Sequence, residues 1–206
     1  MTWDMLLPHI PHRHAKLLEL LDVLAPQMCP GVGVIIYHDN LQATYGEKCQ
    51  TLLEASSADY VSFLSNDDSV SPDYVNRICE ALESEPDYVG YWVRYTIDGV
   101  RQEPTIHSLQ YDDWGNAPNL LYRDITQFNP IRRDLAMRVP FRGHSYADRD
   151  WATDLRALGC VKSEVFIDDE MYYYQWSPSD FFESSRRPVP EEQIPSLPDH
   201  PFVRYI

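Results

Sequence analysis

The chain has 206 residues, of which 44% are hydrophobic, 24% charged and 13% aromatic. This is the make-up of one domain of ~100–200 residues, or one with an appendage, and it excludes a disordered chain. Seventeen cationic against 32 acidic side chains leave a net charge of −15, which repels polyanions and disfavours a general nucleic-acid or anionic-membrane binder.

Residues 3–7 read as a short apolar strand ended by Pro8. A helix over 13–24 follows, with Leu17, Leu18, Leu20, Leu21 and Leu24 at helical spacing, and Pro26, Pro30 and Gly31 break it. The continuous apolar run VGVIIY at 32–37 fits a parallel strand buried on both faces. A second helix is expected over 44–58, with Cys49, Leu52, Leu53 and Ala55 on one face, and a third strand over 60–64. Ser71 then serves as N-cap with Pro72 at the first helical position, opening a helix that turns Val75, Ile78, Cys79 and Leu82 inward. The order β-α-β-α-β-α predicts an α/β fold with a doubly wound, mostly parallel sheet and right-handed crossovers. Ligands of such sheets sit at the carboxyl ends of the strands. That rule singles out the loops 8–13, 38–40 and 65–69.

The second half changes character. Strands over 88–97 and 100–106 flank Asp98-Gly99, a type I′ hairpin signal. Residues 112–116 form a loop, 130–137 and 148–158 short helices, and 161–167 and 170–176 strands. Residues 177–206 hold six of the sixteen prolines and read as an irregular tail wrapped on the body, since proline forbids ladder bonds. The four cysteines are widely spaced, with no CxxC pair, and read as free thiols of a reducing compartment. No run of ~18 apolar residues is present to span a membrane. The opening MTWDMLLPHIPHRH lacks a secretion signal's basic stretch and apolar core, so a cytoplasmic location is expected.

The sharpest local feature is the stretch 60–74, YVSFLSNDDSVSPDY. A buried strand ends, two adjacent carboxylates follow, and a helix begins. Paired carboxylates hold each other's protons unless a cation lies between them, and hard oxygen ligands suit Mg²⁺ or Mn²⁺ bridging substrate phosphates. The same pattern also suits an Asx-turn with helix-dipole acids.

That stretch, continued to Val75, resembles the segment around the DxD motif of GT-A fold glycosyltransferases, in particular the inverting family-two type. In that family a strand is followed by Asp-x-Asp-Asp and a helix opened by Ser/Pro. Here Ser65-Asn66-Asp67-Asp68 occupies that place, with Ser65 at the first acid. By the resemblance Asp67 is the leading metal ligand and Asp68 its support, while Asn66 and Asp67 belong to the donor site. Residues 3–27 resemble the first strand, proline-containing donor loop and first helix, which places Pro8, His9 and Arg13 at the donor. GVGVIIYHDN resembles the second strand, whose terminal acid, here Asp39, contacts the donor base or ribose. Lys48 falls where family members place a basic donor-contacting residue. Residues 129–135 resemble the segment before the acceptor-side helix. Residues 144–152 resemble the Glu-Asp motif whose Asp is the general base; Ala147 replaces the Glu and Asp148 is retained, with Asp150 its competitor. Residues 170–176 resemble a late strand that carries a histidine near the metal, with Tyr173 at that place.

The resemblance covers roughly residues 1–176. It implies a single GT-A catalytic domain with a donor-binding half (1–87), an acceptor half (88–176) and a proline-rich tail (177–206). It also implies a transferase that uses Mn²⁺ or Mg²⁺ and moves a sugar with inversion from a nucleotide-sugar, with UDP as the expected nucleotide, to a hydroxyl acceptor. A carboxylate takes the hydroxyl proton, a cation neutralises the diphosphate and positioning supplies much of the rest. Departures at Ser65, Ala147 and Tyr173 leave open a module that binds nucleotide or sugar without transfer. Residues 123–156 carry seven arginines against five acids. They read either as solvated ion pairs or as an anion site beside the base, for the diphosphate or for a phosphate-bearing acceptor. A modified DNA base is a further acceptor class, but the net charge favours a protein or glycan. Trp114, Trp151 and Trp176 are candidates for sugar stacking. A sugar-1-phosphate nucleotidyltransferase would need a glycine-rich loop where Pro8-His9-Ile10-Pro11 stands.

Overall fold

The first three strands run parallel and set the frame. In the computed structural model, which describes residues 1–144, 146–179 and 187–206, β1 (Trp3–His9) leads through a single turn at Pro11–Arg13 into α1 (His14–Leu24). α1 has no side-chain cap, but Leu17, Leu20, Leu21 and Leu24 are fully buried. At about 1.5–3 kcal/mol per buried leucine, packing and not capping stabilises it. β2 (Val32–His38) precedes α2 (Tyr45–Ala55). α2 opens on a capping box: Thr44 Oγ1 accepts from Glu47 N at 3.3 Å and Glu47 Oε2 accepts from Thr44 N at 2.7 Å. β3 (Tyr60–Phe63) and the short β4 (Ser69–Val70) bracket the two acids, and α3 (Tyr74–Leu82) follows.

The chain continues into the ten-residue β5 (Tyr88–Ile97), then β6 (Val100–Arg101), β7 (Thr105–His107), β8 (Gly115–Ala117) and β9 (Leu120–Arg123). β10 (Ile131–Arg132) runs into the one-turn α4 (Arg133–Ala136). α5 (Ala147–Leu158) ends on Gly159 at φ 56°, the left-handed stop that glycine favours. β11 (Glu164–Trp176) and, in the tail, β12 (Val203–Tyr205) complete the set.

The strands form one sheet in the order β12-β2-β1-β3-β10-β5-β7-β9-β8, with β11 against β5 and β4, and β6 against β5. β2, β3, β11 and β12 run parallel to their long partners, whereas β10 enters antiparallel between β3 and β5. Alternation along β1 splits the core in two. Trp3, Met5 and Leu7 pack with α1 and α3 on one face, and Leu6 packs with α2 and α5 on the other.

Six expectations are corrected. Pro8 does not end the first strand, which runs on to His9, and the strand expected over 100–106 is two, β6 and β7. Ser71 does not cap α3: the helix begins two residues beyond Pro72, and Ser71 bonds Asp73 Oδ1 at 2.9 Å. Residues 131–132 are strand, because β10 fills the gap between β3 and β5. The two late strands are one, since Asp168 and Asp169 are absorbed as a bulge along the long β5. The tail is not wholly irregular: beyond its last proline, Pro201, β12 pairs with β2. Residues 180–186 of the tail and Ser145 of the Glu-Asp-like segment lie outside the described residues. Asp98 and Gly99 take φ of 47° and 77°, as a type I′ turn requires. All four cysteines are free. Among the described residues no helix is long and apolar enough to cross a membrane.

Gly46, in the first turn of α2, lets the backbone before α5 approach closely. A Cβ there would overlap the Arg142 carbonyl and lie 2.8 Å from the Ala147 Cβ. Gly46→Ala is therefore expected to lose roughly 1–3 kcal/mol of stability by overpacking, read as a lower urea midpoint; an unchanged midpoint would show that the contact yields freely.

Candidate functional site

The carboxyl ends of β1, β2 and β3 bring the expected donor residues together. His9 closes β1 and is fully buried. Its ring stacks on His38 (5.1 Å between centroids) and lies 5.9 Å from His14. Burial, then His38, His14, Lys48 and Arg13, pull its pKa down to about 3, so the ring is neutral. Asn66 Nδ2 donates to His9 Nδ1 at 2.7 Å. The ring proton therefore sits on Nε2, a buried donor with no partner among the described residues. Pro8 lies one residue earlier in β1, opposite Tyr37.

Asp39 follows β2. One oxygen accepts from Ala43 N at 2.7 Å and the other pairs with Lys48 Nζ from α2. Both side chains are buried, so the pair is a fixed feature of the loop.

The acid pair divides its labour. Asp67 Oδ2 meets Arg13 Nη1 at 2.9 Å, and Ser65 Oγ donates to Asp67 Oδ1. Ser65 thus orients the acid that follows it. Asp68 points inward: Oδ2 accepts from the Tyr172 hydroxyl and Oδ1 from Gln175 N, each at 2.7 Å. Burial and the neighbouring Asp67 push its pKa up to about 8. Both its oxygens are committed within the protein.

Among the described residues no group of three or more His, Cys, Asp or Glu side chains is arranged to hold a metal ion. What remains is Asp67, a partly exposed carboxylate that Arg13 and Ser65 hold in place. That meets the lower limit for Mg²⁺-type ions, which are held by one or two carboxylates plus substrate phosphates and waters. The histidine-like position, Tyr173, contributes nothing here. Its ring lies under Arg94 at 4.0 Å, while its neighbours Tyr172 and Tyr174 turn toward the acids.

Asp148 stands in the first turn of α5, where Gln127 Nε2 approaches Oδ2 at 3.4 Å. Gln127 also accepts from Phe63 N at 2.7 Å, which ties the same loop to the end of β3. Asp150 faces elsewhere, toward Arg142 (3.3 Å) and His144 (3.0 Å). Burial raises Tyr174, Asp68 and Asp67 raise it further, and Arg123 opposes them. Burial lowers Arg123, while Tyr174 and Asp148 draw it back up. Asp148, Arg123, Tyr174 and the acid pair therefore share one electrostatic neighbourhood. Trp151 is core, stacked on Phe141 at 5.0 Å with its Nε1 donating to Ala136 O, and is removed from the sugar-stacking candidates.

Sequence reasoning placed His38 in a candidate loop without giving it a role, and missed Tyr172, Tyr174 and Gln127. For the two tyrosines the run 172–174 was the signal, read at its middle member. A larger cavity of about 590 Å³, bordered by Asp59, Tyr60, Glu85 and Arg132, lies at the opposite, amino end of β3 and is unconnected with these groups.

Comparison with known proteins bears on the family and on the fold. The chain matches the family model for glycosyl transferase family 2 over residues 17–146. That span takes in Asp39, Lys48 and Asp67 but stops short of Asp148 and β11. No curated protein matches the chain. Among solved structures, S. aureus TarS 1-349 in complex with UDP-GlcNAc superposes with a TM-score of 0.65 at 15% identity, covering 89% of this chain and 64% of that one. The longer S. aureus TarS chain gives 0.62 at 16%, covering 89% and 38%. Glucosyl-3-phosphoglycerate synthase from Mycobacterium tuberculosis, with Mn²⁺, UDP and glucosyl-3-phosphoglycerate, gives 0.59 at 13%, covering 89% and 76%. At these identities the likeness is one of fold. The chain spans well under half of the longer TarS and just under two thirds of the shorter piece.

A neutral buried His9 has a consequence for stability. Between the ordinary imidazole value of 6.5 and about 3, the unfolded chain holds a proton that the folded chain does not, so stability falls as pH drops through that window. His9→Gln is expected to flatten the fall of the urea midpoint between pH 6.5 and pH 4 (about the range over which it can be followed); an unaltered slope would mean that His9 is not held neutral.

Proposed function

The chain belongs to glycosyl transferase family 2, and on that premise we propose that it moves a sugar from a nucleoside-diphosphate sugar to a hydroxyl acceptor, with inversion. The observation that carries this reading is the convergence of Asp39–Lys48, His9–Asn66 and Arg13–Asp67 at the ends of three adjacent parallel strands, with Asp148 tied to the same β3 end through Gln127.

The partnerless His9 Nε2–H is a donor for a carbonyl or ribose oxygen of the nucleotide, and UDP is the nucleotide proposed, as in the TarS and synthase complexes. Asp39, braced by Lys48, faces the base or ribose. Arg13 places a fixed positive charge where the diphosphate departs. Asp67 is the protein ligand for Mn²⁺ or Mg²⁺, and Asp68 supports it from within. When bound, the ion neutralises charge developing on the leaving diphosphate.

Asp148 takes the acceptor's hydroxyl proton as its oxygen attacks the anomeric carbon. The new C–O bond forms on the face opposite the breaking bond to the diphosphate. One base suffices for this single displacement, and no carboxylate nucleophile is needed. Gln127 orients Asp148 through Oδ2, and among the described residues Oδ1 has no hydrogen-bond partner. The proposed acceptor is a glycan, protein or small hydroxyl compound and not DNA, since −15 of net charge opposes phosphate-backbone binding.

The capture of Asp67 by Arg13 favours one alternative, a nucleotide-binding module without transfer. Turnover separates the two. A panel of nucleotide-sugars with Mn²⁺ should yield free diphosphate nucleotide, and Asp148→Asn should lower kcat by roughly 10²–10⁴ with UDP affinity retained. Chelation should weaken UDP binding in the wild type and not in Asp67→Ala. UDP binding with no turnover of any donor would establish the binding module; absence of both would end the family-based account.

A further inference from the structure

Beneath Tyr174 lies a small cavity that the donor chemistry does not use. Its volume is about 110 Å³, and its walls include Tyr95, His107, Arg123, Phe128, Tyr172 and Tyr174. That is room for about four waters at ~30 Å³ each, too little for a nucleoside and enough for a phosphate or a short hydroxy acid. All its lining residues fall between positions 93 and 174, so the loops that gather at the donor contribute none of them.

The cation in this cavity is unspent. Among the described residues Arg123 makes no side-chain hydrogen bond and no ion pair; its guanidinium lies over the Trp114 ring at 4.5 Å. The adjacent Asp124, the carboxylate nearest in sequence, gives both oxygens to Arg156. Asp148 lies beyond ion-pair distance. A partly buried guanidinium with no ion-pair partner among the described residues is costly. Aromatic walls lower the local dielectric, which strengthens any anion that does pair with it.

The cavity also has a defined acceptor. Asn129 Nδ2 donates to Val89 O at 2.8 Å, which turns its Oδ1 to His107 Nδ1 at 2.7 Å. His107 therefore donates through Nδ1 and keeps Nε2 as a lone pair. The cavity offers one cation and one acceptor, the complement of an oxyanion beside a hydroxyl.

We infer that the sugar acceptor carries an oxyanion, phosphate or carboxylate, that this cavity seats on Arg123 while the attacking hydroxyl lies toward Asp148. This rests on the transferase reading above and narrows it to an anionic acceptor. A chain with a net charge of −15 repels such a ligand at long range, so its recognition falls to a local, desolvated arginine, whose fork matches oxyanions.

Trp114 reports on Arg123, so its fluorescence can follow binding. The full chain is first titrated with UDP and Mn²⁺, which reports on the donor cleft alone. With UDP saturating, it is then titrated separately with inorganic phosphate, acetate and glycerol. The expected result is a saturable response to phosphate or acetate and none to glycerol; whichever anion saturates first identifies the source of the charge. Arg123→Met should weaken that response roughly 10- to 100-fold, as for a lost charge-assisted hydrogen bond, and Arg123→Lys should restore part of it. No saturable anion response in the wild type, an equal response to glycerol, or an unchanged response in Arg123→Met would overturn the proposal. The wild-type comparison of anion with glycerol needs no variant to fold. Failure to bind UDP would instead count against the donor reading, and the anion titration without UDP would still decide the cavity.

Discussion

The arrangement of the site depends on a buried carboxyl. Asp68 joins the loop after β3 to β11, 104 residues away, through Tyr172 and the Gln175 amide. The Tyr172 hydroxyl also accepts from Ser65 N at 3.1 Å, so one phenol oxygen holds both ends of the loop. Burial of such a group is unfavourable unless its hydrogen bonds are met, and here donors meet both oxygens. The return for that cost is orientation: with Asp68 locked inward, Asp67 is the member of the pair left facing outward. Two acids adjacent in sequence thus have different settings: Asp68 is held inward by β11, and Asp67 is held at the partly exposed side by Arg13 and Ser65.

The same logic extends outward. Asp39 and Lys48 are buried together and brace the loop after β2. Gln127 links β3 to Asp148. Each is a polar bridge between separate elements, and hydrogen-bonded polar networks rigidify the parts they join. The apolar work lies in the layers around β1, which buries side chains on both faces. The polar groups at the ends of β1, β2 and β3 therefore stand on a frame that is packed on both faces.

Much of the fold was legible because its signals are local. VGVIIY could be little other than a buried strand, and the leucines of α1 fall at helical spacing. The Asp-Gly pair named its own turn. The failures share a cause, which is that distant partners decide them. Ser71 lost the cap of α3 because its hydroxyl is engaged by Asp73 and its backbone by Met171. Asp168 and Asp169 read as a break, yet a long neighbouring strand carries them as a bulge. In the site, acids, histidines and the buried lysine could be named by type and position. The inward turn of Asp68, the turn of Asp150 toward Arg142 and His144, and the isolation of Arg123 could not. Each depends on which polar group lies nearest in space: Tyr172, Arg142 and His144, and Arg156 respectively.

The pairing of β12 with β2 reaches beyond the site. Val34 N donates to Phe202 O at 2.9 Å and Ile206 N to Ile36 O at 3.0 Å, so the final residues cover the side of β2 that β1 leaves bare. Uncovered, VGVIIY would present a row of open amides and carbonyls flanked by β-branched side chains, the kind of edge on which strands of separate molecules zip together. The proline-rich segment before it cannot fill that place. The three-residue β12, which carries the exposed Arg204, thus replaces a seven-residue apolar edge with a short charged one, a form of edge that offers little for another strand to extend.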